Sequence, residues 1–183
     1  MRITIIFVIL LLSSLTANAG STTINFNDTN YLHRWSKATQ HEFTPKDQPD
    51  LTKWDDMITV NYYTDVKDGE QLALIANNLL STYKKYGAKI LRTNSIPRTP
   101  QNTAEHLIVV IFGQSKFIEF VQARIKINDG MGASIVYSHR MYGDKIGEKM
   151  SQWLQSNGPT LERKLMSLDQ IPSFNQLDKL VKN

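Results

Sequence analysis

The sequence predicts an α+β fold: an antiparallel sheet of about five to six strands with a central three-stranded meander, packed against two to three helices. Three observations predict it. Between His106 and Tyr142, three extended apolar segments (LIVVIF, FIEFVQARIKI and ASIVYSHRMY) are joined by short turns. Leu72, Ile75, Leu79, Tyr83 and Tyr86 recur at the three-and-four spacing of an amphipathic helix. Ile146, Met150, Trp153 and Leu154 share one face of a second helix.

Residues 20–38 carry Asn25, Asn27, Asp28 and Asn30 among a few aromatics and read as an irregular N-terminal segment. The domain proper then spans 39–170. His41 to Pro45 is a short strand stopped by proline, and the loop from Lys46 to Lys53 leads to Trp54. Met57 to Tyr63 alternates β-branched and aromatic residues as a strand does. Asp68 followed by Gln71 resembles a capping box, and Gly87 suits the left-handed position that ends a helix. Ala88 to Thr93 returns as a strand, and Pro97 and Pro100 mark a loop before the meander. Asp144 is the expected cap of the second helix, Asn157-Gly158-Pro159 its end, and Leu161, Leu165 and Leu168 a third, shorter helix. The tail, 171–183, offers Phe174, Leu177 and Leu180 for one docked turn.

Residues 1–19 have the form of a cleavable signal peptide: Arg2, an apolar run from Ile3 to Leu12, and Ala17-Asn18-Ala19 before Gly20. Cleavage after Ala19 implies a periplasmic or secreted protein, and no further segment of the sequence has transmembrane length. There is no cysteine, so the domain is expected to hold together without disulfides. The hydrophobic fraction of 41% and charged fraction of 21% are those of a folded domain. A net charge of +4 without a Lys/Arg cluster argues against a nucleic-acid partner.

The hairpin Asn128-Asp129-Gly130 admits two registers. A three-residue turn pairs Ile127 with Met131, makes one face almost wholly apolar and sets Glu119 opposite His139. A two-residue Asp129-Gly130 turn sets Glu119 opposite Arg140 and mixes polar with apolar residues on both faces. The cleaner pattern favours the first, since a slip of one residue exchanges the faces. On that register Glu119 and His139 are the candidate catalytic couple. Leu107 to Phe112 is apolar on both sides, which requires cover on both faces. Two helices are expected to cover only one face, which leaves the N-terminal segment with Trp35 and Trp54, or a partner chain, to cover the other.

No nucleophile elbow, metal-ligand spacing or phosphate loop is present, and no cofactor is implied. The four histidines, His33, His41, His106 and His139, are scattered, and Asp55 and Asp56 read as solvated carboxylates beside Trp54. Ser138, Arg140 and Tyr142 gather donors and an aromatic ring at a strand end, and with Arg124 they form the candidate binding edge.

The order of elements from Thr39 to Leu168, with HEFTP, the tryptophan before MITV and the closing helix carrying Trp153, resembles the small exported PsbP-like and DcrB-like α+β proteins. That resemblance implies a non-catalytic accessory or assembly role and transfers no site residue. Three functions remain open: a non-enzymatic periplasmic protein that binds a protein partner or small ligand, a small hydrolase or metal-assisted enzyme using Glu119 and His139, and a periplasmic inhibitor or immunity protein.

Overall fold

One antiparallel sheet of eight strands, in the order β1-β2-β3-β4-β8-β7-β6-β5, carries helices on both of its faces. The structure is a computed structural model and describes residues 22–180, so the signal peptide expected at 1–19 lies outside the described residues. The strands are β1 (Thr23–Phe26), β2 (Thr29–Lys37), β3 (Gln40–Pro45), β4 (Asp56–Tyr63), β5 (Lys89–Ile96), β6 (Glu105–Gly113), β7 (Phe117–Asn128) and β8 (Met131–Tyr142). The helices are α1 (Gly69–Lys85), α2 (Ile146–Met166) and α3 (Phe174–Asp178). The expected meander is present as β6, β7 and β8.

The sheet exceeds the expected five to six strands because the segment read as irregular, 20–38, forms β1 and β2. Its polar residues lie on an outer face while Ile24, Phe26 and Tyr31 point into the core. The turn between the two strands places Asn27 and Asp28 at φ 51° and 61°, the left-handed pair that joins two strands tightly. Polar residues thus serve there as hairpin chemistry and as the wet side of an edge ribbon.

In α1, Leu72 and Ala76 are buried against Ile108, Val110, Val121 and Ala123. Asp68 caps it, accepting from the Glu70 and Gln71 amides. The Gln71 side chain accepts from Lys67 N, one residue earlier than a capping box requires. Helix α2 covers the opposite face, setting Met150 on Leu107, Val109 and Phe120, and Leu161 and Leu165 on Ile58, Val60 and Ile135. The expectation that the helices cover a single face is thus corrected: the two long helices sandwich β6 between them, and the N-terminal segment extends the sheet instead of covering it.

Two expectations about α2 are corrected. Lys145, at φ 53°, occupies the N-cap position in place of Asp144, with no side-chain cap. Pro159 lies inside one continuous helix, so the expected third helix is the second half of α2. A proline there removes one backbone donor and crowds the carbonyl four residues earlier. Met150 before it and Leu161 and Leu165 after it are buried on one face, which holds both halves in line. The tail makes its docked turn as α3, with Leu177 fully buried.

The expected β7–β8 register is also corrected. Asn128 pairs with Met131, so Asp129 and Gly130 alone make the turn, at φ 52° and 73°. Both left-handed angles match the primed two-residue turn for which Asp-Gly is suited. Glu119 consequently faces Arg140, and His139 faces Phe120. The argument for a clean apolar face fails because both faces of these strands are buried, and each accommodates its polar residues in pairs.

Candidate functional site

The corrected register separates the two residues expected to act together. Glu119, Ser138 and Arg140 lie on the α1 face, whereas His139 lies on the α2 face. Near the C-terminal end of α1 the first group lines a cleft of about 410 Å³. Tyr83 of α1, Tyr86 at its C-cap, Phe112 of β6 and Phe117 of β7 form its aromatic boundary, and Val121 and Val136 its apolar floor. Tyr83 meets the edge of Phe112 at 5.7 Å between ring centroids, while Tyr86 is 69% exposed at the rim.

Arg140 is held from three sides. Its Nε donates to Glu119 Oε2 at 2.8 Å. Its guanidinium carbon lies 3.9 Å from the Trp54 ring centroid and 4.3 Å from that of Phe117. Stacking between two rings suits a planar, weakly hydrated cation and fixes its orientation. Tyr142 Oη donates to Trp54 O at 2.8 Å, and Arg140 N donates to Asp55 O at 2.8 Å, which ties the loop before β4 to the end of β8. Burial pushes the Tyr83 hydroxyl above its ordinary value, with Tyr63 and Glu119 adding to the rise. Further along the same face, burial raises the Glu42 carboxyl, opposed by the Gln40 amide and by the charge of Arg140.

His139 instead donates from Nδ1 to Asp56 Oδ1 at 2.9 Å, and Tyr137 Oη donates to the same oxygen at 2.6 Å. Its ring stacks on Trp153 at 3.9 Å and 5°. His139 Nε2 is buried with no hydrogen-bond partner among the described residues. Asp56 is not the solvated turn carboxylate that its place beside Trp54 suggests; as the first residue of a strand beside β8 it is half-buried. Among the described residues, no group of three or more His, Cys, Asp or Glu is gathered to hold a metal ion.

Arg124 does not belong to the cleft. It is 3% exposed, donates from Nε and Nη2 to both Glu105 carboxylate oxygens at 2.7 and 2.9 Å, and from Nη1 to Leu165 O and Leu168 O. That pattern satisfies carbonyls at the end of α2 and pins the helix to the sheet. Of the expected binding edge, Ser138 and Arg140 line the cleft, Tyr142 supports it from behind, and Arg124 is structural. The sequence reading missed Tyr83, Phe112 and Phe117 as cleft residues, since their periodicity marked them only as core.

Among the described residues, no helix is long and apolar enough to cross a membrane. No protein-family model matches the sequence, and no curated protein matches it. Among solved structures, the chain is similar to the Ran-binding protein Mog1p of Saccharomyces cerevisiae, at 11% identity over 83% of each chain and a TM-score of 0.41. It is also similar to human STARD10, at 11% identity over 81% of this chain and 73% of the other, with a TM-score of 0.32. Likenesses that distant say nothing about what this chain binds.

Proposed function

We propose that this is a non-enzymatic, exported accessory protein that binds a partner or small ligand in the cleft beside Arg140. The carrying observation is the clamp itself: a guanidinium oriented by Trp54, Phe117 and Glu119 at the border of an open, mainly apolar cleft. Rigid polar groups set in apolar walls are the ordinary composition of a binding site. The enzymatic alternative needed Glu119 beside His139, and these side chains lie on opposite faces of the sheet. Export rests on the leader sequence, and the accessory role agrees with the resemblance to PsbP-like and DcrB-like proteins.

Photo-crosslinking tests the reading. A photoreactive residue at Tyr86, at the cleft rim, should trap one dominant species in cell-envelope extract, whereas the same probe at exposed Leu74 of α1 should not. Equal yields from both positions would refute it.

A further inference from the structure

We infer that the cleft takes a small apolar monocarboxylate, its head on Arg140 and its body between the aromatic walls. This rests on the binding reading above and specifies its ligand. Glu119 engages Arg140 through Nε, and no hydrogen bond within the described residues engages Arg140 Nη1 or Nη2. The terminal edge of the guanidinium is thus a fork with two parallel N–H donors, the geometry that matches a carboxylate. Its orientation is set before any ligand arrives, because Trp54 and Phe117 hold the plane from both sides.

The neighbouring polar groups suit the same head. Ser138, two residues before Arg140 on the same face, and Tyr83 across the cleft bring hydroxyls to the lining, and neither is engaged by a hydrogen bond within the described residues. The second oxygen of Glu119 is the lining's one carboxylate acceptor outside the Arg140 bond, and the Gln114 side-chain amide in the same lining offers both a donor and an acceptor. The Arg140–Glu119 pair is neutral in sum, so the head is selected by directed hydrogen bonds more than by net charge. Val121, Val136, Phe112 and Phe117 supply the surface for an apolar body, and about 410 Å³ suits a small molecule.

Calorimetric titration of the mature protein at pH 8 with decanoate, 1-decanol and decyltrimethylammonium tests the inference. Decanoate should bind at least about tenfold more tightly than the other two, as expected for charge-assisted hydrogen bonds to an oriented fork. Arg140→Gln should remove that preference, and Arg140→Lys, which keeps the charge but loses the fork, should remove most of it. Ser138→Ala, which leaves the clamp intact, should weaken decanoate alone by a few-fold. Thermal melting of each variant reports whether it folds. Decanol binding as tightly as decanoate, the ammonium binding most tightly, or no decanoate binding at millimolar concentration would each overturn the inference. Specific crosslinking from Tyr86 without decanoate binding leaves the binding reading standing and removes only the carboxylate.

Discussion

Arg140 Nε donates to Glu119 Oε2 at 2.8 Å across the β7–β8 pair, with side-chain exposures of only 21% and 16%. This pair records the strand register and also forms the charged end of the cleft. Removing one partner of a largely buried pair leaves the other charge uncompensated. Glu119→Gln should therefore destabilise the fold by about 1–2 kcal/mol. Arg140→Ala should cost about 2–4 kcal/mol, because the aromatic sandwich is lost as well. A double-mutant cycle by urea unfolding should return a coupling above about 0.5 kcal/mol, and additive effects would show that the pair contributes nothing.

How far the fold could be read depends on what each residue signals locally. Helix α1 and β4 were legible because Leu72 to Tyr86 and Met57 to Tyr63 repeat at the periods their geometry imposes, and β6 because Leu107 to Phe112 is the unbroken apolar run of a strand covered on both faces. The turn chemistry of Asp129-Gly130 was also visible, but it was outweighed by a preference for a clean apolar face. That preference assumes one dry face, and here helices α1 and α2 make both faces dry. The Asn27-Asp28 hairpin was hidden because its residue types are shared with irregular loops. Arg140 and Ser138 were recognisable as a polar cluster at a strand end. The clamp was not, since Trp54 and Phe117 are brought to Arg140 only by the pairing of β4 and β7 with β8.

Arg124 provides a second test of buried charge. It holds Glu105 from two nitrogens and two carbonyls near the C-terminal end of α2 from a third. Arg124→Ala should destabilise the protein by about 3–5 kcal/mol, the cost of leaving such groups unpaired. Arg124→Lys should recover less than half of that loss, because one ammonium cannot reach the carboxylate and both carbonyls in the same geometry. Chemical denaturation should rank the variants accordingly, and hydrogen exchange should show the last turn of α2 opening first in Arg124→Lys.

Gly132 is fixed by space. A Cβ there would lie 2.7 Å from Val66 Cγ1 and 2.8 Å from Val66 Cβ, while Gly132 N donates to Val66 O at 2.8 Å. The backbone of β8 thus approaches the turn before α1 too closely for any side chain. Gly132→Ala should cost about 1–3 kcal/mol through overpacking. Val66→Ala removes the Cγ1 contact and keeps the Cβ one, so the double variant should recover part of the loss and be more stable than the sum of the single losses predicts. Strict additivity in thermal unfolding would mean that the crowding is relieved elsewhere.

The β2–β3 ribbon should make the fold acid-sensitive. Ser36 Oγ lies 2.7 Å from His33 Nε2 and 2.8 Å from His41 Nδ1, so one hydroxyl joins two imidazoles. Burial lowers both histidines below their ordinary value; the Trp35 backbone opposes this at His33, while at His41 the charge of His33 adds to it and that of Asp178 opposes it. A histidine depressed in the folded state is protonated more readily in the unfolded chain. Stability is therefore fully present above the unfolded value of about 6.5 and is lost as pH falls through the folded values. His41→Gln should flatten the fall in unfolding free energy as pH drops below about 6.5. Ser36→Ala, which leaves His41 buried and His33 half-buried, should lower stability at every pH and retain the slope. A His41→Gln variant with the same pH slope as the parent would place the acid sensitivity in other groups.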